Sequence, residues 1–236
     1  MALFPSFPAV LALALVPSLL RAGGSDANFI TELGEGHRQK IVVYGTSLTA
    51  NSAWPAELQD TLRAAYGRKL KVVNAARGGM DSRWGLANVE TRVIREEPDS
   101  VFIEFAINDA LGQSKLSVDE SMWNLEQMVG MIRRGRPACE VILMVMSPPT
   151  GSALAQRSHI RDYENGYRRV ARRSSCRFID FSAIWRPIIS RQPDRWGSYA
   201  PDGLHPNEKA CREVILPQLL TEIGFPRSPD NPRAGL

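Results

Sequence analysis

Short apolar runs recur along this chain, separated by longer segments of mixed character. The runs cover residues 40–44, 69–74, 99–106, 140–146 and 177–181. Most are continuously apolar rather than alternating, which is typical of strands buried on both faces of a parallel sheet. The pattern therefore predicts five parallel strands.

The segments between the runs repeat their apolar residues at helical spacing. Predicted helices cover residues 54–66, 85–95, 119–134, 160–173 and 207–223. Strands that alternate with helices over short connections predict a single α/β domain with helices on both sides of the sheet, a three-layer arrangement. Ligands of such sheets bind at the carboxyl ends of the strands, so chemistry is expected there.

The N-terminal residues form a separate segment. Residues 8–20 make an apolar run as long as the core of a signal peptide, and small residues follow at 22–24. No Lys or Arg precedes the run and Arg21 follows it, so a buried or disordered N-terminal segment is the alternative. We expect a signal peptide over 1–24 and an exported protein, periplasmic or extracellular. The domain is then predicted over 25–225, with a loose Pro-rich tail over 226–236.

Composition places the chain among soluble globular proteins, with 44% hydrophobic and 23% charged residues. The net charge is +4, and four arginines cluster at 168, 169, 172 and 173 on a predicted helix, where we expect a solvated face. Aromatic and basic residues are not interleaved as in proteins that bind single-stranded nucleic acid, so no nucleic-acid partner is predicted. The run 8–20 is too short to span a bilayer comfortably, and no other segment is apolar enough to be transmembrane.

Residues that could take part in catalysis follow each of the first three predicted strands. Ser47 follows the first strand in GTSL, where it is either a nucleophile or a helix cap. Gly78 and Gly79 follow the second strand, as an ordinary tight turn or as backbone N–H groups that approach a ligand. Asn108 follows the third strand in AIND, where its amide either faces an oxyanion or bonds its own backbone.

Asp202 and His205 lie three residues apart in DGLHP, just before the last predicted helix. A carboxylate at this spacing can hold the histidine ring in one tautomer. A serine hydroxyl needs such a positioned base to become a useful nucleophile, so this pair supplies what Ser47 lacks. The other histidines, His37 and His159, have no such partner and are predicted to lie on the surface.

Taken in this order, the four segments resemble the SGNH (GDSL-type) hydrolase superfamily. Ser47 matches the first block of that family, Gly79 the second and Asn108 the third, while Asp202 and His205 match the last. The resemblance spans roughly residues 40–223. It implies a flavodoxin-like, five-stranded parallel sheet.

The resemblance also implies a serine esterase that works through an acyl-enzyme and needs no metal or organic cofactor. Ser47 is then the nucleophile, His205 its base and Asp202 the residue that orients the base. The backbone N–H groups of Ser47 and Gly79, with the Asn108 side chain, form the implied oxyanion hole. Gly78 takes the place of Gly79 if the alignment slips by one residue.

Two positions depart from the family pattern. Thr46 stands where the family usually has Asp, so the hydrogen bonds beside Ser47 must differ. Ala106 stands where the third block usually has Gly, which adds a methyl group beside the oxyanion site.

For the substrate we expect a short-chain or acetyl ester, carried by a small molecule or by a polysaccharide. The segment between Ser47 and the next helix is short and suggests an open site. Trp196 and Tyr199 precede His205 and are candidates for a platform under a sugar ring, the alternative being ordinary packing. An acyl thioesterase or lysophospholipase and a non-catalytic binding module are the rival functions. A nucleotide-binding flavodoxin-like protein is disfavoured because the chain has no phosphate loop.

The three cysteines, Cys139, Cys176 and Cys211, have no metal-ligand spacing. Cys139 and Cys176 each precede a strand, and the two strands are neighbours in the flavodoxin-like order. A disulfide between them is therefore one hypothesis for an exported protein, and two buried thiols are the alternative.

Overall fold

A computed structural model describes residues 28–226 of the chain. The predicted signal peptide lies outside the described residues, as does the tail from residue 227 onward. Within residues 28–226, no helix combines the length and the apolar character that crossing a membrane requires.

Five parallel strands form one sheet in the order β2-β1-β3-β4-β5, which is the flavodoxin-like order. The strands are β1 (Gln39–Gly45), β2 (Leu70–Asn74), β3 (Ser100–Glu104), β4 (Glu140–Val145) and β5 (Arg177–Asp180). Each strand lies at its predicted place. β3 ends two residues early because Ala106 already begins a helical turn.

Twelve α-helical segments lie within the described residues, together with two 3₁₀ turns, Ile94–Glu96 and Gly112–Ser114, and one π-helical turn, Cys211–Ile215. The helices are α1 (Phe29–Gly34), α2 (Ser47–Ala50), α3 (Trp54–Tyr66), α4 (Ser82–Arg92), α5 (Ala106–Asp109), α6 (Val118–Gly135), α7 (Gly151–Ala155), α8 (Ile160–Arg173), α9 (Ser182–Arg191), α10 (Pro193–Tyr199), α11 (Glu208–Ala210) and α12 (Leu216–Glu222).

Helices cover both faces of the sheet, as the three-layer prediction requires. Crossovers between parallel strands are right-handed, and the chain moves from β1 to β2 in one direction and from β2 through β3 and β4 to β5 in the other. Helix α3 therefore lies on one face, and α4, α6 and α8 lie side by side on the opposite face. The predicted α/β fold class is confirmed.

The apolar stripe predicted for α6 faces the core. Leu125, Met128 and Ile132 are fully buried and Val129 nearly so. Spacings of three and four residues place these side chains on one side of the helix, and the sheet covers that side. The arginine cluster of α8 lies mostly in solvent: Arg169, Arg172 and Arg173 are exposed and Arg168 is half-buried.

Two regions depart from the predicted helices. Residues 182–199 form α9 and α10, which the sequence pattern did not indicate because Pro187 lies inside α9 and Pro193 begins α10. The predicted helix over 207–223 is divided by the π-helical turn Cys211–Ile215. Pro217 follows this turn and has no N–H to donate to a carbonyl one turn back, so a regular ladder cannot run through it.

The disulfide hypothesis is wrong for this structure, since all three cysteines are free. Ile142 pairs with Arg177 across β4 and β5, and this register places Val141, not Cys139, opposite Cys176. Two residues of strand span about 6.6 Å, and neighbouring strands lie about 4.8 Å apart. The Cα atoms are then separated by more than the roughly 7 Å that a disulfide tolerates.

Candidate active site

Ser47 begins the short helix α2 directly after β1. The Thr46 side chain caps this helix and accepts a hydrogen bond from the backbone N–H of Leu48 at 3.2 Å. Gly45 is required before the turn, because a Cβ atom there would lie 2.2 Å from Oε1 of Glu104. The turn therefore directs Ser47 out of the carboxyl edge of the sheet.

Three predicted residues form a chain of hydrogen bonds at this edge. Ser47 Oγ lies 2.8 Å from Nε2 of His205, and Nδ1 of His205 lies 2.6 Å from Oδ2 of Asp202. The other oxygen of Asp202 accepts from the backbone N–H groups of Leu204 and His205, at 2.9 and 2.8 Å. The side chains of His205 and Asp202 are 43% and 54% exposed, so the site is open to solvent.

Partial burial on its own raises the pKa of Asp202, but the hydrogen bonds from His205 and Leu204 outweigh it. The net effect lowers the pKa of this carboxyl group. Asp202 is therefore a carboxylate at neutral pH, and it can hold His205 with Nδ1 protonated and Nε2 facing the serine hydroxyl.

Thr150, which follows β4, holds the loop that contains this pair. Its backbone N–H donates to the carbonyl of Gly203 at 2.8 Å, and its hydroxyl accepts from Nε1 of Trp196 at 2.9 Å. Gly203 has a φ of +72°, and a Cβ atom there would lie 2.8 Å from the Thr150 hydroxyl. Thr150 was not among the predicted site residues, since a threonine after a strand is no distinctive signal.

The predicted oxyanion residues Asn108 and Gly79 lie in the turns that follow β3 and β2. Asn108 is buried, and its Nδ2 donates to the carbonyl of Met80 at 2.9 Å. An amide nitrogen bears two hydrogens, so this bond orients the group and leaves a second hydrogen to donate. The contact also joins the turn after β3 to the turn after β2.

The two glycines after β2 differ in their surroundings. Gly79 has a φ of +77°, a conformation that favours glycine, and a Cβ atom there would meet nothing within 4 Å. A Cβ atom at Gly78 would lie 3.6 Å from Cβ of Ser47 and 3.5 Å from Nδ2 of Asn51. Gly78 thus approaches the serine while Gly79 permits the turn, and the oxyanion role of Gly79 stays a prediction.

A buried carboxyl group lies beneath the nucleophile turn. Oε1 of Glu104 accepts from the Thr46 backbone N–H at 2.7 Å and from the hydroxyls of Thr46 and Thr49 at 3.1 and 2.8 Å. Burial raises the pKa of Glu104 to about 8. Thr46, the departure from the family pattern, therefore bonds a carboxyl group supplied by β3. Glu104 was not among the predicted site residues, and a charged residue inside the apolar run 99–106 is the signal that could have found it.

Two more buried charged groups support the turn that contains Asn108. Asp109 accepts from the backbone N–H of Ser82 at 2.7 Å and from the Ser121 hydroxyl at 2.5 Å, and burial raises its pKa to about 7. Nε of the buried Arg157 donates to the carbonyl of Ile107 at 2.8 Å. No periodicity or motif in the sequence marks Arg157 for this position.

The predicted sugar platform needs correction. Trp196 and Tyr199 are only 5% and 1% exposed, so neither ring presents a face to a ligand. Both rings pack edge-on against Trp185, and the Tyr199 hydroxyl donates to Glu213 at 2.5 Å. Helix α10, which the sequence pattern did not indicate, turns these side chains inward.

Two cavities lie on the carboxyl side of the sheet. One, of about 150 Å³, is bounded by Ser47, His205 and the segment between Leu48 and Ser52. The other, of about 720 Å³, opens next to Thr150 and is lined by α8 and α9. The smaller cavity borders the serine hydroxyl directly.

The other two histidines lie on the surface, as predicted: the side chains of His37 and His159 are 60% and 78% exposed. Each nevertheless has a carboxylate beside its Nδ1, which was not predicted: Glu32 at 2.7 Å from His37 and Asp162 at 3.5 Å from His159. Within residues 28–226, the group of side chains spaced like metal ligands consists of Glu32, Glu35 and His37. This group precedes β1 and so lies at the amino edge of the sheet, opposite the serine.

Comparison with known proteins places the geometry in context. The sequence model of the GDSL-like lipase/acylhydrolase family matches residues 30–212. An isoamyl acetate-hydrolyzing esterase 1 homolog of Mus musculus is 26% identical over 193 residues, which span 70% of this chain and 74% of that protein. A GDSL esterase/lipase of Arabidopsis thaliana is 32% identical over 128 residues, 47% of this chain and 51% of the plant protein.

Solved structures share the fold. An α/β hydrolase enzyme from the metagenome of Lake Arreo superposes with a TM-score of 0.70 at 22% identity, covering 81% of this chain and 98% of that one. A catalytic mutant of an acetylxylan esterase from Geobacillus stearothermophilus superposes with a TM-score of 0.69 at 24% identity, covering 82% and 98%. At 22% and 24% identity, these comparisons show that the fold is shared.

Proposed function

Since this chain belongs to the GDSL-like lipase/acylhydrolase family and is a carboxylic ester hydrolase, we propose that it is a serine esterase that cleaves short-chain esters, above all acetyl esters. The observation that supports the proposal most is the hydrogen-bonded chain from Ser47 through His205 to Asp202. It joins a hydroxyl, a base and an orienting carboxylate in one open site.

The first chemical step follows from this geometry. Nε2 of His205 takes the proton of the Ser47 hydroxyl as Oγ attacks the ester carbonyl carbon. Asp202 holds the ring through Nδ1 and stabilises its charged form. The tetrahedral intermediate collapses when His205 returns the proton to the leaving alcohol, and an acyl-enzyme on Ser47 remains.

The second step releases the acid. His205 takes a proton from a water molecule that attacks the acyl-enzyme, and then returns that proton to Ser47 Oγ as the carboxylic acid leaves. In both steps the negative oxygen is stabilised by the Asn108 amide and by backbone N–H groups of Ser47 and Gly79. The Met80 carbonyl fixes the Asn108 amide in advance, so little reorganisation accompanies the step.

A short acyl group is favoured by the size of the cavity beside Ser47. Its volume of about 150 Å³ is below the roughly 300–1,000 Å³ that is usual for drug-sized ligands. An acetyl group fits such a cavity, whereas a long alkyl chain has to extend outside it. The names of the mouse relative, which mentions isoamyl acetate, and of the fold neighbour, an acetylxylan esterase, point the same way.

Hydrolysis of p-nitrophenyl acetate and of p-nitrophenyl palmitate tests the proposal. We expect turnover of the acetate ester by the wild type and nearly complete loss in Ser47→Ala, because that variant lacks the hydroxyl that lies 2.8 Å from the His205 base. Ser152→Ala, which alters an exposed hydroxyl on α7, is the matched control and should keep full activity.

Three other outcomes are informative. Equal turnover by Ser47→Ala and the wild type would refute the nucleophile assignment. A Ser47-dependent preference for the palmitate ester would favour the lysophospholipase or thioesterase alternative over the acetyl esterase. If Ser47→Ala unfolds at the same temperature as the wild type, its loss of activity is not caused by misfolding.

A further inference from the structure

The larger cavity at the carboxyl edge is a cleft whose function the reaction at Ser47 does not explain. It lies between the exit of β4 and helices α7, α8 and α9, and its volume is about 720 Å³. Such a volume accommodates a ligand of roughly drug size, which is far more than an acetyl group requires. In an ester hydrolase it suits the alcohol part of the substrate.

The cleft adjoins the loop that contains Asp202 and His205. Thr150 is part of its wall, and the same residue donates its backbone N–H to the carbonyl of Gly203, between Asp202 and His205. A substrate whose acyl group reaches Ser47 can therefore extend along this loop into the cleft.

Arginines dominate the charge of the cleft. Arg161, Arg186 and Arg191 line it, and Asp162 is the acidic residue of the lining. Arg186 pairs with Glu164, whereas no carboxylate within residues 28–226 lies at ion-pair distance from Arg161 or Arg191. Both of these arginines are exposed, so their guanidinium groups are available to a ligand.

The rest of the lining is apolar. Leu154, at the mouth of the cleft, is 42% exposed, and Pro149, Pro187 and Ile189 form further apolar surface. Sugar rings present C–H groups on their faces and hydroxyls at their edges. A wall of prolines and aliphatic side chains with arginines at the rim matches a sugar that also carries negative charge.

We propose that this cleft binds the alcohol part of the substrate as an acidic oligosaccharide, whose uronate carboxylates pair with Arg161 and Arg191. The proposal rests on the proposed esterase function and names its substrate class: acyl esters of uronic-acid-containing saccharides. The planar guanidinium groups pair with the two carboxylates, and the contact between Thr150 and Gly203 keeps the loop of His205 beside the cleft.

Direct binding tests the cleft without catalysis. Calorimetric titration of Ser47→Ala protein with trigalacturonate and with neutral xylotriose, at low salt, compares an acidic and an uncharged saccharide of equal length. We expect trigalacturonate to bind more tightly, with a dissociation constant that rises with added salt because exposed ion pairs are screened.

Arginine variants of the same protein locate the interaction. Arg161→Gln/Arg191→Gln should weaken trigalacturonate binding by roughly three- to thirtyfold, the range expected from two exposed ion pairs, and leave xylotriose binding unchanged. Arg169→Gln/Arg172→Gln removes the same charge from the exposed part of α8 and should have no effect. Equal binding of the two saccharides, or equal loss in both double variants, would overturn the proposal.

Kinetics separate this proposal from the proposed function. Arg161→Gln/Arg191→Gln should raise KM for acetylated oligogalacturonate far more than KM for p-nitrophenyl acetate, because the small ester has no carboxylate to pair with an arginine. Ser47-dependent hydrolysis of p-nitrophenyl acetate without selective binding of trigalacturonate would refute the cleft and keep the esterase. Selective binding of trigalacturonate without any Ser47-dependent hydrolysis would refute the esterase function and keep the cleft as a binding site for acidic saccharides.

Discussion

The side-chain amide of Asn108 is fixed by one hydrogen bond and retains a second hydrogen for the reaction. Asn108→Ala should therefore lower kcat by about 10²–10³, the usual effect of removing one oxyanion donor, with little change in KM. Steady-state kinetics with p-nitrophenyl acetate measures this split. Asn165→Ala, at an exposed position on α8, is the control. If Asn108→Ala changes only KM, Asn108 binds the substrate and is not an oxyanion donor.

Gly78 and Gly79 should respond differently to the same substitution. Gly79→Ala places a Cβ atom on a residue with φ of +77° and should lower the free energy of unfolding by about 1–2 kcal/mol. Gly78→Ala avoids this strain but places a methyl group 3.6 Å from Cβ of Ser47, so it should reduce kcat/KM more than stability.

Urea unfolding and esterase assays on the two glycine variants make this comparison. If Gly78→Ala is as active as the wild type, the space beside Ser47 is not needed by the substrate. If Gly79→Ala is as stable as the wild type, the turn can relax and the strain argument fails.

At the scale of elements, the register between β4 and β5 determines whether Cys139 and Cys176 can form a disulfide. Cys139 lies two residues away from the position opposite Cys176, so we expect three free thiols per chain. Thiol titration of the denatured, unreduced protein checks this number. A count of one thiol would show a disulfide and require a different register.

The turn after β1 is stabilised by a residue of another strand, β3. Glu104 at the end of β3 accepts three hydrogen bonds from Thr46 and Thr49. The family pattern usually supplies an Asp within the motif itself, whereas here a neighbouring strand provides the carboxyl group. Thr46 thereby becomes a donor to Glu104 and a cap for α2 at once.

At the scale of the whole molecule, Glu104 should make the stability depend on pH. Burial raises its pKa from the ordinary value of 4.5 to about 8, so between these values the folded state keeps a proton that the unfolded state has released. The unfolded state then binds fewer protons, and the free energy of unfolding falls as pH rises through this window, by at most about 1.4 kcal/mol per pH unit from this group.

Glu104→Gln should flatten this fall, because a neutral amide replaces the titrating group at nearly the same volume. Urea denaturation at pH 5, 6, 7 and 8 measures the slope. Glu126→Gln, at a half-buried carboxylate that pairs with Arg173, is the control. Burial also raises the pKa of Asp109, so part of the dependence of stability on pH remains in both variants. Equal slopes of unfolding free energy against pH in the wild type and Glu104→Gln would show that Glu104 does not titrate in this window.

The sequence by itself determined the five strands, the helices at 54–66 and 160–173 and the residues of the proposed triad. These features depend on local information. Apolar runs indicate buried strands, helical spacing indicates one-sided helices, and Gly45 and Asp202 occur at short, fixed distances from Ser47 and His205.

Only the tertiary structure decided how distant residues meet. Ser47 and His205 are 158 positions apart in sequence, yet their atoms lie 2.8 Å apart because two loops converge at one edge of the sheet. The inward turn of Trp196, the place of Arg157 against the Ile107 carbonyl and the arginine-lined cleft also result from packing. Burial and strand register depend on contacts between elements, and a pattern along one segment does not contain them.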